Sequence, residues 1–228
     1  VNIVIVANHN WYKQLSDNLS QLIEHNVYFI SDNESLTYDN LDALKPRYVF
    51  IPHWSYIIPK EIHENFECIV FHMTDLPYGR GGTPLQNLIS RGVYHTRISA
   101  IKCESELDAG DIYLKKDFNL YGSAEEIYMR ASEIIEQMIK EIIITEPTPY
   151  QQTGEVVTFS RRNRSDSNLE AIDTLKKAFD YIRMLDAESY PRAFLETEYL
   201  LFEFERANLK DGYIHADVKI TRKDVHDE

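Results

Sequence analysis

Apolar positions along this chain follow two periods. Asn2–Ala7, Val27–Ile30, Arg47–Ile51 and Cys68–Phe71 are short apolar runs rich in β-branched and aromatic residues. They read as buried strands of the parallel-sheet kind. Between the first two runs, Trp11, Leu15, Leu19, Leu22 and Ile23 recur at helical spacing, and Leu36–Leu44 reads as a polar turn with a short helix. Thr96–Cys103 and Ile112–Asp117 are two further strands. Ser123, with Glu126 three residues on, opens a long helix whose buried face is Ile127, Ala131, Ile134, Ile135, Met138 and Ile142. This alternation up to about residue 145 predicts a mostly parallel sheet covered by helices on both faces.

Glu146-Pro-Thr-Pro-Tyr150 breaks the pattern, and the expected boundary lies there, with one domain over 1–147 and a smaller one over 148–228. The second part reads as a Gly154–Phe159 strand, a basic run Ser160–Arg164 and a helix from about 168 to 185. A loop Tyr190–Phe194 and strands at 199–205 and 213–220 complete it.

The stretch richest in chemistry follows Cys68–Phe71. His72, Thr74 and Asp75 stand at that strand's carboxyl end, ahead of the loop Gly79-Arg80-Gly81-Gly82. Thr83-Pro84 with Gln86 has the form of a capped helix start. Polar, titratable residues at that place mark the crevice where open α/β sheets bind ligands, although a satisfied histidine in a tight turn gives the same string. Pro52–Pro59 reads as an apolar-aromatic loop at another strand's carboxyl end, which is either core or a grip for a planar heterocycle.

Composition narrows the function classes. The chain has 228 residues, 43% apolar and 27% charged, as ordinary soluble globular proteins do. Its net charge of −13 disfavours nucleic acid and anionic membrane as partners, while leaving room for a local basic patch that holds a small anion. No run approaches a membrane span, and Asn2–Ala7 lacks the cationic flank of a signal peptide, so the cytoplasm is the expected compartment. The chain opens at Val1, and residues are expected to precede it. Cys68 and Cys103 read as core thiols in a reducing compartment. Asn8-His9-Asn10 has no glycine, which argues against a dinucleotide or phosphate loop. The eight histidines show no metal-ligand spacing, and no metal is expected.

Leu107-Asp108-Ala109-Gly110-Asp111 is the turn after a later strand. If that strand neighbours Cys68–Phe71, the Asp108 carboxylate meets His72 across the crevice. Such a pair orients an imidazole, takes a proton from an attacking amine and stabilises charge in a tetrahedral intermediate. With no Ser or Cys set up as a nucleophile, direct acyl transfer between two bound substrates suits these residues.

In that order and spacing, His72-Met-Thr-Asp-Leu-Pro77, Arg80-Gly81, Pro84-Leu-Gln86 and Leu107-Asp108-Ala-Gly110 resemble the motifs of the folate-dependent formyltransferases. Arg183-Met-Leu-Asp-Ala…Tyr190-Pro191-Arg-Ala-Phe194 resembles a stretch of the sugar N-formyltransferases in particular. The resemblance covers most of the chain. It implies a Rossmann-like α/β catalytic domain with a small C-terminal α+β domain. The implied activity is formyl transfer from N10-formyltetrahydrofolate to the amine of a nucleotide-activated deoxyamino sugar for a surface glycan. His72 would be general acid/base and Asp108 the carboxylate that orients it. Trp54, Ile57, Ile58, Glu104 and Leu107 would line the folate pocket. Thr74, Arg80, Gly81, Arg162 and Tyr190 would meet the acceptor; Arg162 reads equally as solvated surface, and Tyr190 and Trp54 as core.

Val70 stands where the family carries an amide-bearing Asn that donates to the formyl oxygen. His53, Thr74, a backbone N–H of residues 79–82 or protonated His72 are the candidate substitutes. Three alternatives stay open: a formyltetrahydrofolate hydrolase, a methionyl-tRNA formyltransferase-like enzyme, and a lapsed relative that only binds folate or nucleotide sugar. A homodimer is the expected assembly.

Overall fold

The computed structural model describes residues 1–22, 24–188 and 190–223, with the side chains of Asn10, Trp11 and Leu22 left aside. Ile23, and the Trp11 and Leu22 side chains expected on a helix face, therefore lie outside the described residues. The chain divides into two units. The first comprises Val1–Gly81, His95–Phe118 and Met129–Thr158, and the second Gly82–Tyr94, Asn119–Tyr128 and Phe159–Glu228.

The first unit is built on β1 (Asn2–Ala7), β2 (Asn26–Ile30), β3 (Tyr48–His53), β4 (Cys68–His72), β6 (His95–Lys102) and β7 (Ile112–Asn119). These form one sheet in the order β2-β1-β3-β4-β6-β7. The β1–β2, β1–β3 and β3–β4 pairs are parallel, and β4–β6 is antiparallel. The expected mostly parallel sheet is thus found.

Alternation within the strands divides the core. Val4, Val6, Val49, Ile51 and Cys68 form one cluster with Leu41 of α2 (Tyr38–Leu44) and Ile62 of α3 (Lys60–Asn65). Ile3, Ile5 and Phe50, of opposite parity, are fully buried on the other face. α1 (Asn10–Leu22) belongs to that side, since the Tyr12 ring lies 6.1 Å from that of His53. Asn18 of α1 donates to Glu136 of α5 (Ala124–Thr145) over 3.0 Å. The α5 start is the expected capping box: Ser123 N–H donates to Glu126 Oε2 at 2.7 Å, and Glu126 N–H to Ser123 Oγ at 3.3 Å.

Several expectations are corrected. Pro52 and His53 are not loop but the end of β3, and Pro59 precedes α3, a helix that the apolar pattern does not announce. Gly79-Arg80-Gly81 is not open loop either. With Tyr78 it forms the short strand β5, paired with β8 (Val157–Phe159) in a two-stranded sheet. The capping box at Thr83 is absent: Thr83 is left-handed at φ 46° and makes no cap bond to α4 (Pro84–Ser90). Gln86 is instead buried, donating to Met184 O at 3.0 Å.

In the second unit, the expected helix from 168 begins only at Leu175, as α6 (Leu175–Arg183), with Thr174 accepting from Lys177 N–H as its cap. The expected loop at 190–194 ends in a strand, β9 (Ala193–Glu196). It joins β10 (Leu200–Lys210) and β11 (Tyr213–Arg222) in an antiparallel sheet ordered β11-β10-β9. The unit is anchored by Arg183, which is 2% exposed. Its Nε meets Asp180 Oδ1 at 2.7 Å, and Nη1 donates to Leu120 O at 2.5 Å and Gly122 O at 2.8 Å. Tyr94 donates to the same Asp180 carboxylate at 2.9 Å.

Candidate active site

The site residues of the first unit gather at the carboxyl ends of β3 and β4 and in the turn after β6. His72 closes β4, opposite Ser99 of β6. Its Nε2 lies 2.7 Å from Gly79 O, which can only accept, so Nε2 carries a proton. Its Nδ1 lies 3.6 Å from Asp108 Oδ1, and the two side chains are only 8% and 10% exposed. The adjacency of the strands, expected from the sequence only as a condition, brings this pair together.

Asp108 occupies a left-handed conformation at φ 54°, which is costly for a residue with a Cβ and needs support from its surroundings. That support is visible. Asp108 Oδ2 accepts from Gly81 N–H at 2.9 Å. Two residues on, a Cβ at Gly110 would fall 1.9 Å from Lys102 O, so only glycine lets the turn lie against the end of β6. Lys102 N–H donates to Asp111 O at 2.8 Å and closes that approach.

The loop from β4 to β5 is held as firmly. Ser99 Oγ donates to Thr74 O at 2.7 Å, and Lys115 Nζ reaches both Asp75 Oδ1 and Leu76 O at 2.5 Å. Thr74 is fully buried, with Oγ1 3.4 Å from Gly79 O, the carbonyl that also accepts from His72. Arg80 directs Nε and Nη2 to Gln152 Oε1 at 3.1 and 2.9 Å, and Nη1 to Glu106 at 3.1 Å.

A β-bulge decides what lies beside His72. Ile5 pairs with Phe50 but Ala7 pairs with His53, so β3 carries one extra residue. The insertion reverses the alternation. His53 turns to the α1 side, its ring 4.6 Å from that of His9, and Trp54 takes the Ile51 side. Ile51, Val70 and His72 share that side, since Val70 pairs with Ile51 in register. His53 is therefore no substitute for the missing amide. Burial, with a smaller push from His9, brings its pKa down to about 4. Periodicity alone could not reveal the bulge; the pairing register does.

Trp54, Ile58, Val70 and Cys103 are half-buried and pack against the cluster that holds Ile51 and Cys68, making an apolar floor. The Trp54 indole N–H is buried without a hydrogen-bond partner among the described residues, which leaves a donor over at this place. Ile57 is 91% and Leu107 67% exposed, and Glu104 is exposed as well. The buried edge of the floor suits a planar heterocycle, and the exposed side chains are available to cover one. Burial raises the Cys103 pKa to about 11, with Asp108 and Glu104 adding to the shift.

Arg162 and Tyr190 belong to the second unit. Arg162 N–H donates to Thr83 Oγ1 at 3.1 Å, and its guanidinium stands 5.2 Å from the Tyr181 ring. Tyr190 stacks on Tyr128 at 5.5 Å, and burial raises its phenol pKa. Gln152 is a site residue that the sequence does not single out; its only signal is a position just after the Pro147–Pro149 break.

A mostly parallel sheet with a titratable pair at its carboxyl edge defines a doubly wound α/β domain. Comparison with known proteins refines this. Residues 164–221 match the family description methionyl-tRNA formyltransferase, C-terminal domain. A solved structure of methionyl-tRNA formyltransferase from Clostridium thermocellum superposes with a TM-score of 0.95 at 47% identity, covering 98% of this chain and 100% of that one. The methionyl-tRNA formyltransferase of Wolinella succinogenes is 27% identical over 167 residues, 71% of this chain and 53% of its own. The chain thus spans about half the length of the curated relatives it matches. A sugar N-formyltransferase from a Shewanella species shares the fold, with a TM-score of 0.65 at 17% identity over 95% of this chain and 96% of that one. The chain belongs to the formyltransferase family.

Proposed function

We propose that this protein transfers a formyl group from N10-formyltetrahydrofolate to a primary amine, with His72 and Asp108 performing the proton chemistry. The observation that carries this reading is the buried His72–Asp108 pair, 3.6 Å apart beside an apolar floor. Trp54 and Ile58 hold the pterin, with Ile57, Leu107 and Glu104 at its exposed rim. The amine nitrogen bonds to the formyl carbon, and the developing oxyanion takes the N–H of His72 Nε2, released from Gly79 O. Asp108 orients the imidazole and draws a proton from the amine. The carbon–N10 bond then breaks and that proton ends on N10, leaving formamide and tetrahydrofolate. Val70 offers no donor, so this work falls on His72 and Thr74, both already aimed at Gly79 O.

The acceptor we favour is the amine of a nucleotide-linked deoxyamino sugar, with Thr74, Arg80 and Gly81 of the first unit as candidate contacts. A net charge of −13 supports a small acceptor over a polyanionic one. Methionyl-tRNA is the second reading, favoured by the name of the 47% identical relative. Offering the protein N10-formyltetrahydrofolate with a set of nucleotide amino sugars, with methionyl-tRNA, or with neither separates the readings. Mass gain of one formyl on a sugar supports the first and on methionyl-tRNA the second. Free formate without an acceptor identifies a hydrolase.

A homodimer belongs to the same reading. Leu195, Leu200, Phe202, Phe204, Val218 and Ile220 share one face of the β9–β10–β11 sheet, and Ile220 is 57% exposed. This apolar face, with Arg222 at its edge opposite Leu200 and no carboxylate among these residues, lets two copies of an acidic chain meet away from their like charges. Light scattering that finds a dimer in the native protein and a monomer in Ile220→Glu supports it; a native monomer rejects it.

A further inference from the structure

We propose that Gln152 is a positioning residue of this site, holding the Asp108 turn against His72 by bridging it to Arg80. The proposal rests on the reading of His72 and Asp108 given above. Gln152 Nε2 donates to Asp108 O at 2.8 Å and to Gly110 O at 2.9 Å. Its Oε1 accepts from Arg80 Nε at 3.1 Å and Nη2 at 2.9 Å. The partners fix the orientation of the amide, since carbonyls can only accept and a guanidinium can only donate.

These contacts close a ring. His72 donates to Gly79 O; Arg80, the next residue, grips Gln152; Gln152 grips the backbone of Asp108; and Asp108 returns to His72. Gly81 N–H on Asp108 Oδ2 adds a cross-brace. Two opposing influences act on the turn apart from Gln152. Lys102 N–H holds it from the β6 side through Asp111 O, while the left-handed φ of 54° at Asp108 favours relaxation. Gln152 occupies the two carbonyls that would otherwise be free to rotate as that strain relaxes.

An amide is the neutral side-chain group that can donate to the carbonyls and accept from the guanidinium together. Glutamate at 152 would keep the Arg80 interaction and set a carboxylate against two carbonyl oxygens. The same ring gives Arg80 a second part besides a candidate acceptor contact: its donors are directed to Gln152 and Glu106, so it also acts on the site through the turn.

The test combines two substitutions with two readouts. Gln152→Ala removes both halves of the bridge, and Gln152→Glu keeps the shape and the Arg80 interaction but has neither amide donor. Gln151→Ala, at the exposed neighbour, is the control. The first readout is the pair of His72 ring nitrogen resonances, assigned against His72→Asn, in the otherwise native protein. The second is kcat and KM for formyl transfer. The proposal predicts His72 ring signals shifted from wild type in both Gln152 variants and unshifted in the control. It predicts kcat about 10- to 100-fold lower, with donor KM within about twofold, as expected when a reacting group is misplaced while substrate binding stays intact. Unchanged ring signals in both variants overturn it. So do wild-type signals in Gln152→Glu alone, because the Arg80 tether would then suffice, and so do shifted signals with full kcat. If the wild type proves inert toward formyl transfer, the functional reading fails, while the ring signals still decide the role of Gln152.

Discussion

His72 Nδ1 lies 3.6 Å from Asp108 Oδ1, and the opposite nitrogen of the same ring is tied to Gly79 O at 2.7 Å. The imidazole therefore sits between a carbonyl and a carboxylate, with its plane and one protonated nitrogen fixed. Asp108→Asn keeps an acceptor for Gly81 N–H but removes the charge facing Nδ1. Its kcat is expected to fall about 10²- to 10⁴-fold, the range for loss of positioned acid–base help, with little change in thermal stability. Steady-state kinetics and a melting curve on one preparation check both halves.

Val70 packs beside Leu76, Ile101 and Ile112 on the His72 side of the sheet. Val70→Asn places an amide donor two residues before His72. If oxyanion stabilisation limits the rate, kcat rises, by up to the roughly 10²-fold such a donor contributes. An amide in this apolar setting costs about 1–3 kcal/mol of stability unless substrate satisfies it. Faster turnover with a lower melting temperature, recovered on adding folate, is the expected pattern.

How much of the molecule is legible in the sequence depends on what each element rests on. The β1 to β4 strands and the α5 start are readable, because continuous apolar runs and the Ser123–Glu126 box are local signals. The Thr83 box fails although its letters are right. Thr83 Oγ1 accepts from Arg162 N–H and from Asn87 at 3.1 Å each, and the first is a tertiary bond that no window around residue 83 contains. The site pair is nameable only through resemblance and a condition on strand neighbours. Gln152 and the bulge that turns His53 away from His72 are not legible, since both depend on pairing between distant segments.

His53 makes stability depend on pH. Its folded-state pKa of about 4 lies below the ordinary value of 6.5, so between those values the unfolded chain binds more protons than the folded one. Stability is therefore complete above about pH 6.5 and declines as pH falls toward 4, by at most about 3 kcal/mol. Water reaching the half-buried ring makes the loss smaller. Chemical denaturation from pH 7.5 to 4.5 should show this slope, and His53→Gln should flatten it.

Arg183 and Asp180 form a buried ion pair whose guanidinium also serves two carbonyls of the second unit. Arg183→Ala leaves Asp180 charged, buried and short of one partner. A loss of about 3–5 kcal/mol is expected, as for other buried pairs broken on one side. Replacing Lys176, on the exposed side of the same carboxylate, should cost less than about 1 kcal/mol. Urea titration of both variants gives the comparison.

The most direct test is release of tetrahydrofolate from N10-formyltetrahydrofolate, followed by absorbance with an amine acceptor present, in wild type and His72→Ala. Rapid, acceptor-dependent release in wild type and loss of at least about 10²-fold in His72→Ala is the predicted result. Equal rates in the two proteins would contradict the assignment of His72 as the group that performs the chemistry.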